Sequence, residues 1–390
     1  MLADEVMGRI RSVHPIAGPL ALHEPVFVGN EVAYVTDAIE SGWVSSAGSR
    51  IEDFERGLLE VTGSQHAIAI VNGTAALHLS LVASGVGPND EVLVPSLCFV
   101  AAANAVSYCG ALPHFVDCDP NNLGVDAPKL RGYLEGFGLE RSGLVNPATG
   151  RFVRALIVVH NFGHPAQIDA LTEICEEFGL TLIEDAAESL GSTYCGRKTG
   201  SFGLLSTLSF NGNKTITTGG GGAILTDDHE LAARIRHLSS TARSTERWVW
   251  SHDALGYNYR MPALNAALGC AQLEVLPRLL ESKRDLARAY FAAFDGLDGA
   301  ALFREPEGAR SNYWLNLLVL DRDRRSEREG ILAAADAAQI QLRPIWTPLH
   351  QLPMYVDHPR MDLSQTNDLA DRIIALPSTP RLSGDDPAGA

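Results

Sequence analysis

Three short stretches of this chain carry side chains whose chemistries complement one another. In Ile70-Val71-Asn72-Gly73-Thr74-Ala75-Ala76-Leu77 an apolar run ends, a glycine turns the chain and a threonine opens a helical pattern. Such a helix start aims unpaired N–H groups and a positive end at one point, so Gly73 and Thr74 are candidates to cradle a phosphate; a plain N-cap would use the same residues. In Ile183-Glu184-Asp185-Ala186-Ala187-Glu188, Asp185 closes an apolar run, a place where a carboxylate can hold a heterocyclic nitrogen protonated. A helix cap or an ion pair is the alternative use of that acid. In Ser209-Phe210-Asn211-Gly212-Asn213-Lys214-Thr215-Ile216-Thr217-Thr218-Gly219-Gly220-Gly221-Gly222, Lys214 follows an apolar run and precedes four glycines, with Ser209 a further phosphate donor. A lysine amine becomes a useful nucleophile when its surroundings lower its proton affinity or when it forms a Schiff base.

Only four of the 31 basic side chains are lysines: Lys129, Lys198, Lys214 and Lys283. Lys129 and Lys283 stand in charged helical contexts and read as solvated faces, and Lys198 sits in the turn Cys195-Gly196-Arg197-Lys198-Thr199-Gly200. Lys214 is therefore the expected nucleophile. The glycine run could serve close backbone packing or a tight hairpin. The chain has no GxxxxGK[ST] and no GxGxxG after its first strand, which excludes a P-loop or a Rossmann nucleotide site. A phosphate turn, a strand-end acid and a lysine 29 positions after it together ask for a cofactor with a phosphate, a basic ring nitrogen and an aldehyde. Pyridoxal 5′-phosphate has all three.

The elements that must position these groups are visible as alternation. Apolar runs at His66–Val71, Glu91–Leu97, Leu112–Cys118, Arg154–His160, Thr181–Ala186, Leu204–Phe210 and Ala223–Thr226 read as strands. Helical patterns lie between them at Ala75–Ser84, Val100–Tyr108, Asp126–Glu135 and Gln167–Phe178. Strand–helix–strand alternation gives an α/β fold with a mostly parallel seven-stranded sheet sandwiched by helices, whose ligands sit at the carboxyl ends of strands. After about Ser240 the pattern changes to a helix from Ala263 to about Phe294, a strand Tyr313–Leu320, a helix Glu327–Ala337 and an extended piece Ile340–Trp346. Residues 1–245 are thus expected to form the large domain, N-terminal arm included, and 246–390 a small C-terminal α+β domain with a frayed tail over 382–390.

The 390 residues suffice for two such domains, and a composition 46% hydrophobic and 20% charged is globular. A formal net charge of −16 argues against nucleic-acid binding and against an anionic membrane surface. No stretch approaches the length of a transmembrane span, and the N-terminus does not read as a signal peptide, so a cytoplasmic setting is expected. The six cysteines are scattered without ligand spacing; no metal site and no disulfide framework is expected, and buried free thiols are the simple reading.

The segments NGTAALHLSL, EDAAESLG, SFNGNKTITTGGGGAILTDD and GYNYRMPALNAALGCAQLE closely resemble the sugar-nucleotide aminotransferases of the DegT/DnrJ/StrS family, over about Leu22 to Pro380. The family implies the pyridoxal phosphate-dependent transferase fold of type I. HEPVFVGNE, GWVSSAGSRIEDFE and RSNYWLN look closest to the branch acting on UDP-linked 4-keto-6-deoxy-N-acetylhexosamines, towards bacillosamine or legionaminic acid; GDP- and dTDP-linked hexoses are the alternatives. The resemblance implies that Lys214 links to the cofactor aldehyde and Asp185 pairs with its ring nitrogen. It implies that Gly73, Thr74 and Ser209 bind the phosphate and that Phe99 stacks on the ring. Asn258 would reach the phosphate from the partner in a homodimer with active sites at its interface. Glu188 stands where many relatives carry Gln or His near the ring hydroxyl. Ser45, Ser46, Gly48, Arg260, Tyr313, Arg343 and His350 are the expected substrate contacts, although a helix start, packing residues, ion pairs and structural histidines are their other uses. The implied reaction is a two-stage transfer of an amino group from L-glutamate to C4 of the sugar. A lysine at 214, where related dehydratases carry His, favours amino transfer over dehydration. The Asp185/Lys214 pair argues against a non-catalytic sensor, and the missing glycine fingerprint argues against a nicotinamide oxidoreductase.

Overall fold

The seven apolar runs become seven strands of one sheet because each is rich in Val, Ile and Leu and is buried along most of its length. In the computed structural model, which describes residues 2–382 apart from 16–17, 142 and 245–247, they are His66–Ile70 (β1), Asp90–Pro95 (β2), Leu112–Val116 (β3), Phe152–Val159 (β4), Thr181–Asp185 (β5), Leu205–Ser209 (β6) and Gly222–Thr226 (β7). Their spatial order is β1-β7-β6-β5-β4-β2-β3, extended beside β4 by the short antiparallel pair Gly138–Glu140 and Gly143–Val145. Neighbours among β2 to β6 run parallel. The helices Gly73–Ala83, Ala101–Tyr108, Ala127–Leu134 and Ile168–Phe178 lie in the chain between these strands. Only β7 is reversed, pairing antiparallel with both β1 and β6. Its reversal places Gly222 against Ile70 and Ser209 at once. The ends of β1, β5 and β6, and the start of β7, therefore share one edge of the sheet.

A second, antiparallel sheet is formed by Ala300–Leu302 (β8), Asn316–Leu320 (β9), Arg343–Pro344 (β10) and Ile373–Leu376 (β11), in the order β8-β9-β11-β10. The helix Ala263–Ala293 spans both units. Its first half packs Ala266, Val275 and Leu279 against Ile51, Phe54 and Leu208. Its second half packs Leu286 and Tyr290 with β9 and β11. An N-terminal helix, Leu2–Val13, which the sequence reading did not place, inserts Leu2, Val6 and Ile10 into that same smaller core. This helix thus packs with the C-terminal sheet, whereas Val26 and Val28 further along the arm pack against the core beneath β1, β6 and β7. The expected boundary at Thr245 lies outside the described residues, as do residues 383–390 of the tail.

Two sequence expectations about polar residues change on folding. Cysteines are free, with Cys98, Cys118 and Cys175 buried, but Cys195 is exposed. Lys283 is not a solvated face: it is 1% exposed. Its Nζ lies 2.9 Å from His23 Nε2 and donates to the carbonyls of Trp314 (3.1 Å) and Ser378 (2.9 Å). Burial pulls its proton affinity down from the ordinary 10.5 to about 7. The facing His23 is likewise depressed by burial, and by Lys283 itself.

The unfolded chain keeps the Lys283 proton up to about 10.5, whereas the folded chain gives it up near 7. Folding must expel that proton in between, so this group's penalty is full below pH 7 and fades as pH rises. Lys283→Met removes the penalty. We expect the stability difference, wild type minus variant, to rise by roughly 1 kcal/mol per pH unit above pH 7. Denaturant unfolding of both proteins at pH 7, 8 and 9 checks this, and a flat difference would contradict it.

Candidate active site

At the shared sheet edge lies a cavity of about 340 Å³, within the size range of small-molecule sites. Gly73, Thr74, Phe99, Asp185, Glu188, Ser209 and Lys214 all line it. Four strands deliver them: β1, β2, β5 and β6. Asn72 leaves β1 in extended conformation and caps the next helix, its side chain accepting the Ala75 N–H at 2.8 Å. The N–H groups of Gly73 and Thr74 lie in the first turn of that helix, where no intrahelical partner exists. A Cβ on Gly73 would come within 2.9 Å of Ser209 Cβ, and one on Gly222 within 2.6 Å of the Asn72 carbonyl carbon. Both glycines let β6 and β7 press against the turn. Asp185 ends β5, and Lys214 sits in the loop after β6, its N–H held by the Asn211 carbonyl at 3.0 Å.

The charges at this edge are dehydrated. Burial raises the proton affinity of Asp185, opposed by the Ala187 N–H at 3.1 Å and by the Lys214 charge. Burial does the same to Glu188, opposed first by Lys214. Lys214 Nζ meets Glu188 Oε1 at 3.2 Å, while Glu188 Oε2 accepts the Phe162 N–H at 2.7 Å. His160 is satisfied elsewhere, its ring between Glu184 Oε1 (2.8 Å) and the Ala166 N–H (3.0 Å), a structural role.

The remaining candidates do not line the cavity. Tyr313 is buried at a left-handed φ of 48°, its hydroxyl accepting the Glu305 N–H at 3.2 Å and its ring edge-on to His164. Its side chain packs against His164 and Phe291, outside this cavity. His350 is held by Ser96 Oγ at 2.7 Å and faces a separate shallow groove. Arg343 lies exposed on another groove, with Glu24 and Asp336. Asn258, exposed and at φ 55°, donates its N–H to Ser240, and Arg260 bridges to Ile70. Ser45 and Ser46 lie on the surface loop before Gly48, which precedes the helix Ser49–Thr62. In place of Tyr313 the smaller unit contributes Trp314 and, from after β10, Trp346. The two rings flank Phe162, at 6.4 Å and 12° for Trp314 and 4.6 Å and 10° for Trp346, and Phe99 meets Trp346 edge-on. Sequence reading picked the neighbour of Trp314; the only signal was the aromatic pair in RSNYWLN, and nothing local said which ring faced the cavity.

The donor set suits pyridoxal phosphate. A helix start with two hydroxyls beside it fits a phosphate, a lysine amine fits an aldehyde, a buried acid fits a protonated ring nitrogen, and aromatic walls fit the ring. A model of the DegT/DnrJ/EryC1/StrS aminotransferase family matches residues 27–388. A GDP-perosamine synthase of Vibrio cholerae is 37% identical over 94% of this chain and 95% of that protein. One from Caulobacter vibrioides is 39% identical over 86% of each. The crystal structure of a DegT DnrJ EryC1 StrS aminotransferase from Brucella abortus superposes with a TM-score of 0.81 at 30% identity, covering 91% of both chains.

If Gly73 keeps Ser209 at the phosphate turn, Gly73→Ala should weaken pyridoxal phosphate binding about tenfold, or about 1.4 kcal/mol, while the fold persists. Absorbance titration of the cofactor-free protein reads this; unchanged affinity would remove the turn from the phosphate site.

Proposed function

The chain belongs to the DegT/DnrJ/EryC1/StrS aminotransferase family, and from that premise we propose that it moves an amino group from L-glutamate to C4 of a GDP-linked 4-keto-6-deoxyhexose. It is a pyridoxal phosphate-dependent aminotransferase with the type I fold of that class. The observation that carries the reading is the Lys214 amine in one cavity with Asp185, Glu188 and the Gly73/Thr74/Ser209 turn. The nucleotide is chosen on the relatives: both GDP-perosamine synthases match over nearly the whole chain. They favour GDP over the UDP-linked amino sugar that the sequence motifs suggested.

Bound here, pyridoxal phosphate supplies an aldehyde and an electron-withdrawing ring that store an amino group between two substrates. Gly73, Thr74 and Ser209 would hold its phosphate, and the Lys214 amine would hold its aldehyde carbon with loss of water. Asp185, sunk at the end of β5, keeps a proton at the ring nitrogen. Lys214 Nζ would be the base that takes the proton from the α-carbon of glutamate and, carrying it, the acid that gives it to the carbon of the cofactor's aldehyde group. Phe99, half exposed at the mouth, covers the ring and excludes water. Among the described residues Arg260 makes no ion pair, so its planar fork is available to a diphosphate or a donor carboxylate.

A second copy of the chain completes the site in this reading. Trp43 (60% exposed), Trp250 (79%) and Leu255 (79%) leave apolar surface bare, and two of the three lie on the segment that leads to Asn258. A monomer seldom leaves so much uncovered. Ser45, Ser46, Gly48 and Asn258 lie on the same exposed segments, where they serve the neighbour's cavity. The setting is cytoplasmic, where glutamate and nucleotide sugars are made; among the described residues no helix is long and apolar enough to cross a membrane.

Purified protein given glutamate and a panel of GDP-, UDP- and dTDP-linked 4-keto-6-deoxy sugars should aminate the GDP-linked hexose fastest, with the product identified by mass and NMR. Preference for the UDP-linked N-acetyl sugar would overturn the nucleotide assignment. Borohydride reduction of the loaded protein should label Lys214 and no other lysine, and Lys214→Ala should lose both label and turnover. Trp250→Glu should shift the assembly from dimer to monomer in sedimentation.

A further inference from the structure

Lys214 Nζ is enclosed on two sides that have nothing to do with phosphate. One side is Glu188 Oε1 at 3.2 Å. The other is the face of Trp314, whose ring centroid lies 3.9 Å from Nζ. A carboxylate and an aromatic face are the two surfaces that stabilise an ammonium over a neutral amine, and both act more strongly out of water.

Both walls are fixed from behind. Glu188 Oε2 is occupied by the Phe162 N–H at 2.7 Å, which leaves Oε1 for the amine. The Trp314 indole N–H donates to the Asn213 carbonyl at 2.6 Å, next to Lys214 in sequence. The Phe162 ring stacks on Trp314. One side chain ties the two walls together: Asn312 Nδ2 donates to the Glu188 carbonyl at 2.9 Å, and Asn312 Oδ1 accepts the Trp314 N–H at 2.8 Å. Asn312 is packed so closely that a Cβ on Gly163 would lie 1.9 Å from its Oδ1. On the far side, the buried Lys283 holds the Trp314 carbonyl. An accidental contact of a flexible lysine does not come with this support.

We propose that Glu188 and Trp314 form a holding site for the Lys214 ammonium, filled whenever that amine is not joined to the cofactor. The proposal rests on the aminotransferase reading above, in which Lys214 is set free while the amino group is stored. In the holding site the released amine keeps a fixed place and charge. To act again it must give up a proton, and Glu188, whose proton affinity is raised by burial, is the group in contact to take it: one N–H bond breaks at Nζ and one O–H bond forms at Oε1.

Competitive acetylation of the cofactor-free full chain with trace acetic anhydride, followed by peptide mass spectrometry, tests this. With four lysines, exposed Lys198 serves as internal reference. The pH of half-maximal Lys214 acetylation should fall by about half a unit or more in Glu188→Gln and in Trp314→Leu, and stay near wild type in Trp314→Phe, which keeps an aromatic face. Opening the site sterically would raise the limiting rate without moving that midpoint. An unmoved midpoint in Glu188→Gln, or a shift in Trp314→Phe equal to that in Trp314→Leu, overturns the proposal. If Trp314→Leu does not fold, Glu188→Gln alone decides. The borohydride label on Lys214 is read separately, so loss of the label with a normal midpoint shift would reject the cofactor role and leave the holding site standing.

Discussion

Burying two carboxylates and one amine in the same small space is the constraint around which the rest of the cavity is arranged. Taken out of water singly, each charge would cost several kcal/mol. Here each is answered at short range: Asp185 by the Ala187 N–H, Glu188 by the Phe162 N–H, and Lys214 by Glu188. The compensation comes from backbone donors as much as from counter-charges, and backbone donors stay put when a ligand arrives. The edge of a parallel sheet, where strands give way to turns, is where such donors are free. A dry, pre-arranged polar site of this kind is what electrostatic catalysis requires.

The central sheet was legible because its strands are buried on both faces and read as unbroken apolar runs between Gly, Asn and Asp. Gly73, Asp185, Ser209 and Lys214 were legible for a related reason: each stands at or just beyond the end of such a run, so finding the strand places the residue. The aromatic walls were not. Trp314 and Trp346 come from the smaller unit, and only the chain reversal at Tyr313, with its left-handed φ, decides which of two adjacent rings turns inward. Lys283 was misread although a signal existed: Leu276, Leu279, Lys283, Leu286 and Tyr290 fall at helical spacing on one buried stripe. Local charge density outweighed periodicity in the reading; packing reversed that order. The N-terminal helix carries the same spacing in Leu2, Val6, Ile10 and Val13.

The two units are not independent with respect to the site. Trp314 opens the segment that becomes β9, its carbonyl is held by Lys283 on the long helix, and the same amine holds Ser378 and faces His23. One buried nitrogen therefore joins the N-terminal arm, the helix, the smaller sheet and the C-terminal segment, and the piece it fixes is a wall of the cavity. The smaller unit belongs to the site through Trp314 and Trp346, which a motif search confined to the first two-thirds of the chain does not reach.

The reversed strand has a consequence for how the protein is made. β1 lies at the edge of the sheet and pairs with β7, so Ile70 and Gly222 are neighbours across 152 positions of sequence. Contacts that distant form slowly, and a growing polypeptide carries β1 as a bare edge until β7 has been synthesised and has folded back. The turn at the end of β1 is therefore finished late: a chain stopped short of residue 222 has the Gly73 turn in its sequence but lacks the Gly222 backbone that packs against Asn72.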